Sequence, residues 1–555
     1  MTTPLRFDVA DRPLRYAGGA DLHCYEPERI ASFNQRHQEV LGAYRLELTG
    51  LDVHVLDATL NGRSALGAFT NKQLREAVIL AAALPAAAVV LHGFGALARL
   101  PPAEQTPQRT DEAKRANDRT AAQVMAEVLQ TTTMNLAVGE EVIIESTVTE
   151  GVRLKPGKEV GGNPTIAVGA LFGKPEHRET YGRHTPKHVE LLSMGNDVID
   201  GTTKSAKGLH SSITALYVTQ SGTKRHLPDI YVQRWMAGVP FPEFDPRHVS
   251  TTEAAAIVAG AYGVPVESLS SFFIDRARHR PPMDELNALG VSTPFDRDGD
   301  LFPALVLGLD GVVFDDGRPL HSMLGEIGGS AEWALGVLPL VWRGGQALGM
   351  LTSQSSLTRR DRSPEELWRE RFHYTEEEHM AIQDARFEHK PFFTIDDIME
   401  RPFAGGVSAF GAISDNLYYP PMRGVGIDDA AGMIRVHVLA IDSLGVTKHW
   451  DLTFRCLDGI AATRERMRSP KEALVGLTDR ALATELGRWL ADDAASERMR
   501  IFVNNEFYPG LIRQGARRVI LRRSIDGLVE RGALSAHDRD ILELVRRAAP
   551  EWFVS

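Results

Sequence analysis

The chain has only two cysteines in 555 residues, Cys24 and Cys456, and they lie far apart. A disulfide framework is thereby excluded as an organising device, and a reducing cytoplasm is the expected compartment. Basic residues are also in deficit: 62 Lys and Arg stand against 73 Asp and Glu, a formal charge of −11. That balance argues against a nucleic-acid partner or an anionic membrane surface, so an anionic substrate would need a local basic pocket. Long apolar runs are missing too. The most apolar stretch, Ala77 to Leu91, is short for a bilayer and contains Pro85, and it reads as a buried helix followed by a strand. Met1-Thr-Thr-Pro-Leu-Arg-Phe-Asp has no basic segment leading into an apolar core, so no targeting signal is expected.

What the chain does have is enough length for about three domain-sized units and a 43% hydrophobic content to fill their cores. Residues 1–105 read as a small α/β extension, with strand alternation in Leu51-Asp-Val-His-Val-Leu56, a helix from Asn71 to Leu84 and a Gly-x-Gly turn at His92-Gly-Phe-Gly95. Prolines at 101, 102 and 107 mark a linker over 99–110. Alternating strand and helix patterns over 106–460 indicate a layered α/β core. Residues 461–555 are charged and helical in pattern, an appendage. An irregular stretch rich in Gly, Pro, Lys and His occupies 151–190; His184 and His188 have the spacing of a helical metal pair, but Pro186 between them favours a surface loop.

Asp197-Val-Ile-Asp-Gly-Thr-Thr203 carries the most chemistry. Hard cations such as Mg²⁺ take carboxylate oxygens, and two carboxylates followed by a glycine turn and two hydroxyls could hold one beside an oriented water. Gly201 permits the tight turn. The same pattern also fits a solvated Asx turn. Two further acids stand at the ends of regular patterns: Glu145 closes Glu141-Val-Ile-Ile-Glu145, and Glu332 follows Ile327-Gly-Gly-Ser-Ala at the start of an apolar helix. Arg276-Ala-Arg278-His279 sets two guanidiniums on one side of an extended segment, where they could chelate phosphate oxygens or form a solvated basic turn.

Together with Pro228-Asp-Ile-Tyr231 and Asp298-Gly-Asp300, these segments resemble, in order and spacing, the class II fructose-1,6-bisphosphatases of the lithium-sensitive, metal-dependent sugar and inositol phosphatase superfamily. The resemblance runs from about Asp111 to Gly424, with an insertion near 162–195. It implies a layered α/β/α/β sugar-phosphatase fold, one or two Mg²⁺ or Mn²⁺ ions, and a homo-oligomer acting on fructose 1,6-bisphosphate or a related ketose or modified-sugar phosphate. By the same resemblance Asp197, Asp200 and Glu332 hold one metal and Glu145 a neighbouring one, and Thr202 aligns the water beside Asp200. Gly201, Tyr231, Arg276, Arg278, Asp298, Gly299, Asp300 and Gly329 line the substrate.

The family's Asp-Lys pair on its first helix corresponds to Ala113-Lys114, for which Asp111 or Glu112 could substitute. Its Glu-Gly-Glu corresponds to Glu145-Ser-Thr147, with only Glu150 nearby. These two departures raise the alternative of a sugar-phosphate-binding protein with weak or lost catalysis.

Overall fold

A computed structural model describes residues 27–58, 71–150, 165–166, 170–180, 186–225, 227–228, 230–309, 312, 317–384, 387 and 392–468. His184, Cys24 and the helical pattern beyond Pro470 lie outside them.

The main sheet is mixed and nine-stranded. Across it run β1 (Leu46–Ala58), β14 (Val446–Cys456), β13 (Met433–Asp442), β11 (Gly406–Ala412), β5 (Ile213–Thr219), β4 (Glu190–Asp200), β2 (Val142–Thr149) and β3 (Leu171–Phe172), with β12 (Gly426–Asp428) on β13. β2 and β4 are parallel, and the other pairings are antiparallel. A second sheet has the order β10 (Gln346–Thr352), β6 (Tyr231–Ala237), β9 (Ser322–Gly329). A short parallel pair joins β7 (Phe273–Ile274) to β8 (Phe295–Asp296).

Apolar faces decide the layering. One face of the main sheet packs beneath the Lys72–His92 and Pro107–Met134 helices, in a core that includes Leu80, Leu84, Met125, Leu216 and Val436. The other face, with Tyr217, Phe410 and Leu439, meets the Ser330–Trp342 helix. That helix also packs on Val232 and Leu351 of the small sheet, whose far face buries Trp235 and Leu348 against the Thr251–Tyr262 and Arg280–Ala288 helices. The result is the expected layered α/β architecture, with a further helical layer outside the second sheet.

Ser250 and Glu253 form a capping box, Gly290 has φ +80° after the Arg280–Ala288 helix, and β13 and β14 are neighbours. Some expectations change. No strand follows Leu84: the helix begins at the Asn71 cap and continues through Pro85 to His92. Proline in a helix interior costs about 3 kcal/mol, but this helix is buried on nearly every side, so packing outweighs the lost hydrogen bond. Among the described residues it is the one helix long and apolar enough to cross a membrane by length and composition, and 89% of that window is buried inside the protein. The 99–110 stretch is not all linker, since Thr106 caps a helix that starts at Pro107. β1, in the segment read as an extension, pairs along its length with β14 in the main sheet.

Candidate metal centre

The acid turn is built on a fault in the sheet. Asp197 lies opposite Ala215 and Asp200 opposite Ile213, so three steps along β4 match two along β5. In a regular strand residues three apart point to opposite faces; the extra residue cancels that alternation and re-aims the side chains. Val198 and Ile199 accordingly both enter the core under the helix pair, and the two aspartates are freed for the site. Gly201 then turns at φ 77°, capping the short Thr202–Lys207 helix.

Two groups of acids gather here. Glu150, Asp197 and Glu332 can each offer an oxygen within 4.8 Å of the others, and so can Asp200, Asp300 and Glu332. Glu145, expected as a ligand, belongs to neither group. It faces Ser193 in the β2–β4 register, four residues before Asp197, or about 13 Å at strand rise. β2 does not end at Glu145 but runs to Thr149, with a bulge between Ser146 and Val148, and the Glu150 amide donates to the Asn196 carbonyl at 3.3 Å. The bulge puts Glu150 level with Asp197.

The Pro107–Met134 helix also supplies an acid. Asp118, one turn beyond Lys114, is 1% exposed and neither oxygen completes a hydrogen bond. Burial raises it well above the usual carboxylate range against the pull of Lys114, and it stands beside Glu150 and the Thr202 hydroxyl. Its neighbour Asn117 anchors the region, donating to Ser205 Oγ at 2.9 Å. The turn at Gly93–Gly95 docks on the same short helix, Gly95 N donating to the Ser205 carbonyl at 2.8 Å. That glycine turn is therefore packed on protein, and its amide does not cradle a phosphate.

Burial lifts Asp197, Asp200 and Glu332 well above the ordinary range, and repulsion among the neighbouring acids adds to it. Lys204, paired with Asp296 at 2.6 Å, pulls Asp200 the other way. Asp197 Oδ2 and Asp200 Oδ2 are buried without a hydrogen-bond partner. Crowded, dry carboxylate oxygens are costly unless a cation joins them, and a hard divalent ion is the cation this all-oxygen set suits.

On the small-sheet side the organising group is Arg234, which the sequence reading passed over. It is fully buried in β6, pairing with Asp300 at 2.7 Å, Glu326 at 2.8 Å and Glu332 at 3.7 Å. Burial pushes Glu326 up to about 7, although Arg234 opposes the shift. Asp300 is thus a buried member of the acid cluster as well as part of the Asp298–Asp300 turn. Gly299 sits there at φ 78°, its α-carbon side against Asp200 Oδ2. Gly328 is obligatory for a different reason: a β-carbon would come within 2.0 Å of Arg234 Nη2 and 2.2 Å of Asp300 Oδ2. Gly328→Ala should cost about 1–3 kcal/mol through overpacking, measurable as a lower midpoint in thermal unfolding.

Tyr231 and Gly329 face each other across β6 and β9. The Gly329 amide donates to Glu332 Oε2 at 2.6 Å, fixing that acid at the head of its helix. Arg278 lies 4.6 Å from the Tyr231 ring centroid, and its Nε and Nη2 donate to the Ile327 carbonyl at 3.2 and 2.6 Å. His279 grips the same residue, its Nε2 accepting from the Ile327 amide at 2.9 Å while Nδ1 meets the Ile274 carbonyl at 2.6 Å. The two basic groups are not side by side on an extended segment. Ala277–His279 is a tight turn, Arg278 is 6% exposed, and Arg276 turns away to Asp298 at 3.5 Å. Tyr231, Arg278 and Gly329 are brought together; Arg276 pairs instead with Asp298, and Gly299 lies against Asp200.

Buried carboxylates beside a glycine turn and a threonine form two acid groups that could hold a cation, as a metal-dependent phosphatase requires. Comparison with known families places this centre further. The profile of the bacterial fructose-1,6-bisphosphatases, glpX-encoded, matches residues 103–409, and the chain belongs to that family. It is 26% identical over 243 residues to the D-fructose 1,6-bisphosphatase class 2/sedoheptulose 1,7-bisphosphatase of Synechococcus sp. (strain JA-2-3B'a(2-13)), covering 43% of this chain and 63% of that protein. Proteins of the same name from Prochlorococcus marinus strains AS9601 and MIT 9303 are 24% identical over 331 and 353 residues, covering 58% and 62% of this chain and 91% and 98% of theirs.

Proposed function

We propose that the protein hydrolyses a phosphate monoester of a ketose bisphosphate, fructose 1,6-bisphosphate or sedoheptulose 1,7-bisphosphate in the first instance, with Mg²⁺ or Mn²⁺. The observation that carries this reading is the grouping of Glu150, Asp197 and Glu332 and of Asp200, Asp300 and Glu332, with Asp118 beside Glu150 and Thr202, while buried oxygens of Asp118, Asp197 and Asp200 lack a hydrogen-bond partner. Asp118, Glu150, Asp197, Asp200 and Glu332 would hold the metal, which when bound polarises the phosphate and lowers the pKa of water. Thr202 donates to the Ile199 carbonyl at 3.0 Å, so its oxygen is left to accept a hydrogen bond from the attacking water and fix its approach. Arg278, braced by Tyr231 and Ile327, supplies positive charge at the substrate end. Arg276, Asp298 and Gly299 would form the rim against the sugar, and Arg234 Nη2 bridges Asp300 and Glu332.

The binding-only alternative was prompted by Ala113 and Thr147. Asp118 and Glu150 bring two further acids to the cluster, which speaks against that alternative. The testing experiment is phosphate release from a panel of sugar phosphates with Mg²⁺ or Mn²⁺, repeated after chelation. Activity on a ketose bisphosphate should vanish in EDTA and return with the ion. Full turnover in the metal-stripped protein would sink the proposal.

A further inference from the structure

A cavity of about 140 Å³ opens at the other end of the main sheet from the acid centre. It lies between the first two turns of the Lys72–His92 helix and the outer strands β1, β13 and β14, with Val407 of β11 in its wall. Val407 faces Val218 of β5, and Val218 faces Met194 near the start of β4, whereas Asp197 and Asp200 close the opposite end of that strand. The 21-residue helix, about 31 Å long at 1.5 Å per residue, separates this cavity from the Gly93–Gly95 turn docked beside the acid centre. Apart from Val407, the lining residues fall outside the span matched by the family profile.

Its lining is unlike the rest of this acidic chain. Arg29, Lys72, Arg75 and Lys448 contribute four positive charges. Two carboxylates line the cavity with them. Glu76 takes Arg36 through both oxygens at 2.7 Å and His37 at 3.1 Å. Asp442 accepts from the Leu444 and Val446 amides at 3.1 Å, with Lys448 at 3.7 Å. Burial pushes the Lys448 ammonium below its usual range against the pull of Asp442, and Arg75 and Arg29 add to the shift. Two of the cations stand in the first turn of a long helix, where the backbone dipole favours negative charge. The wall between them is apolar, with Val55, Ile79 and the Trp450 ring.

We infer that this cavity is a binding site for a small organic phosphate, its phosphate held among Arg29, Lys72, Arg75 and Lys448 and its apolar or flat portion against Trp450. At roughly 12 Å³ per water the cavity holds on the order of ten waters, which matches a compact metabolite and is too small for a polymer. Guanidinium groups chelate phosphate oxygens more effectively than a single lysine does. The site is independent of the catalytic proposal.

Phenyl phosphate is a suitable probe, because it joins one phosphate to one aromatic ring. Calorimetric titration into the full chain kept in EDTA should show saturable one-to-one binding. Arg75→Ala should weaken it about tenfold or more while leaving turnover of the sugar phosphate unchanged, and Asp200→Asn should leave this binding unaltered. Phenol should not bind, and inorganic phosphate should bind more weakly. No saturation up to about 10 mM, near the limit of useful affinity, would overturn the inference. So would binding that survives Arg75→Ala together with Lys72→Ala, or binding lost in Asp200→Asn, which would assign the probe to the acid centre.

Discussion

Asp200→Asn should lower kcat/KM about a thousandfold while making the metal-free protein more stable. A charged ligand contributes several kcal/mol of charge stabilisation in a metal-assisted displacement, and each 1.36 kcal/mol is a factor of ten in rate. The second half of the expectation follows from the same burial. Asp200 is raised well above the usual carboxylate range by desolvation, then by Asp300, Asp298 and Glu150. Replacing it with a neutral isostere relieves that repulsion, so thermal unfolding in EDTA should shift upward by about 2 °C, the scale of 1 kcal/mol in a large domain. Wild-type turnover in the variant, measured by phosphate release, would remove Asp200 from the reaction.

Glu150→Gln and Glu145→Gln should behave as opposites. Glu150 shares a donor group with Asp197 and Glu332, so its neutralisation should reduce kcat/KM about a hundredfold and weaken Mn²⁺ binding in step. Glu145 is half-buried four residues back along the sheet register, and Glu145→Gln should change either quantity less than about twofold, as for most substitutions away from a site. Equal losses in both variants would mean that the strand register differs from the one described. Ala113→Asp, which would restore an acid at the position corresponding to the family's Asp-Lys pair, should do little. Position 113 precedes Asp118 by five residues, about 7.5 Å along the axis and on a different side of the helix.

What the sequence disclosed, and what it hid, follows from the range of the interactions involved. Asp197, Asp200 and Glu332 were legible because their placement is local: a glycine turn fixes the aspartates, and a helix start fixes the glutamate. The layered α/β arrangement was legible for the same reason, as alternating periodicities. Glu150 was hidden by the bulge after Ser146, since a single unpaired residue in a strand leaves no mark in the pattern yet moves every later side chain. Asp118 did leave a mark. It shares the buried stripe of its helix with Ala121, Ala122, Met125 and Leu129, and a charge on that stripe needs a partner. Arg234 was equally exposed to inspection, an arginine within the apolar strand Tyr231–Ala237. The helical continuation past Pro85 could not have been read locally, because it depends on strands more than a hundred residues away: the Thr214 hydroxyl bonds the Ala82 carbonyl at 2.7 Å, and a β-carbon at Gly411 would come within 2.3 Å of that oxygen.

The pairing of β1 with β14 places Leu46 opposite Cys456. At about 5–20 residues per second of synthesis, some 20 to 80 seconds separate the appearance of these partners on the ribosome. Throughout that interval β1 is a strand without its neighbour, carrying the apolar side chains of Leu46, Leu48, Leu51 and Val55. An exposed edge of this kind invites association with other chains. The Pro27–Arg36 and Gln38–Tyr44 helices lie against β1, and Phe33, Val40, Leu41 and Tyr44 share its core, so this local packing can shelter the strand before its distant partner exists. The β13–β14 hairpin is then the one that pairs with β1 and completes that edge of the sheet, and yield in the cell becomes a contest between waiting for it and aggregating first.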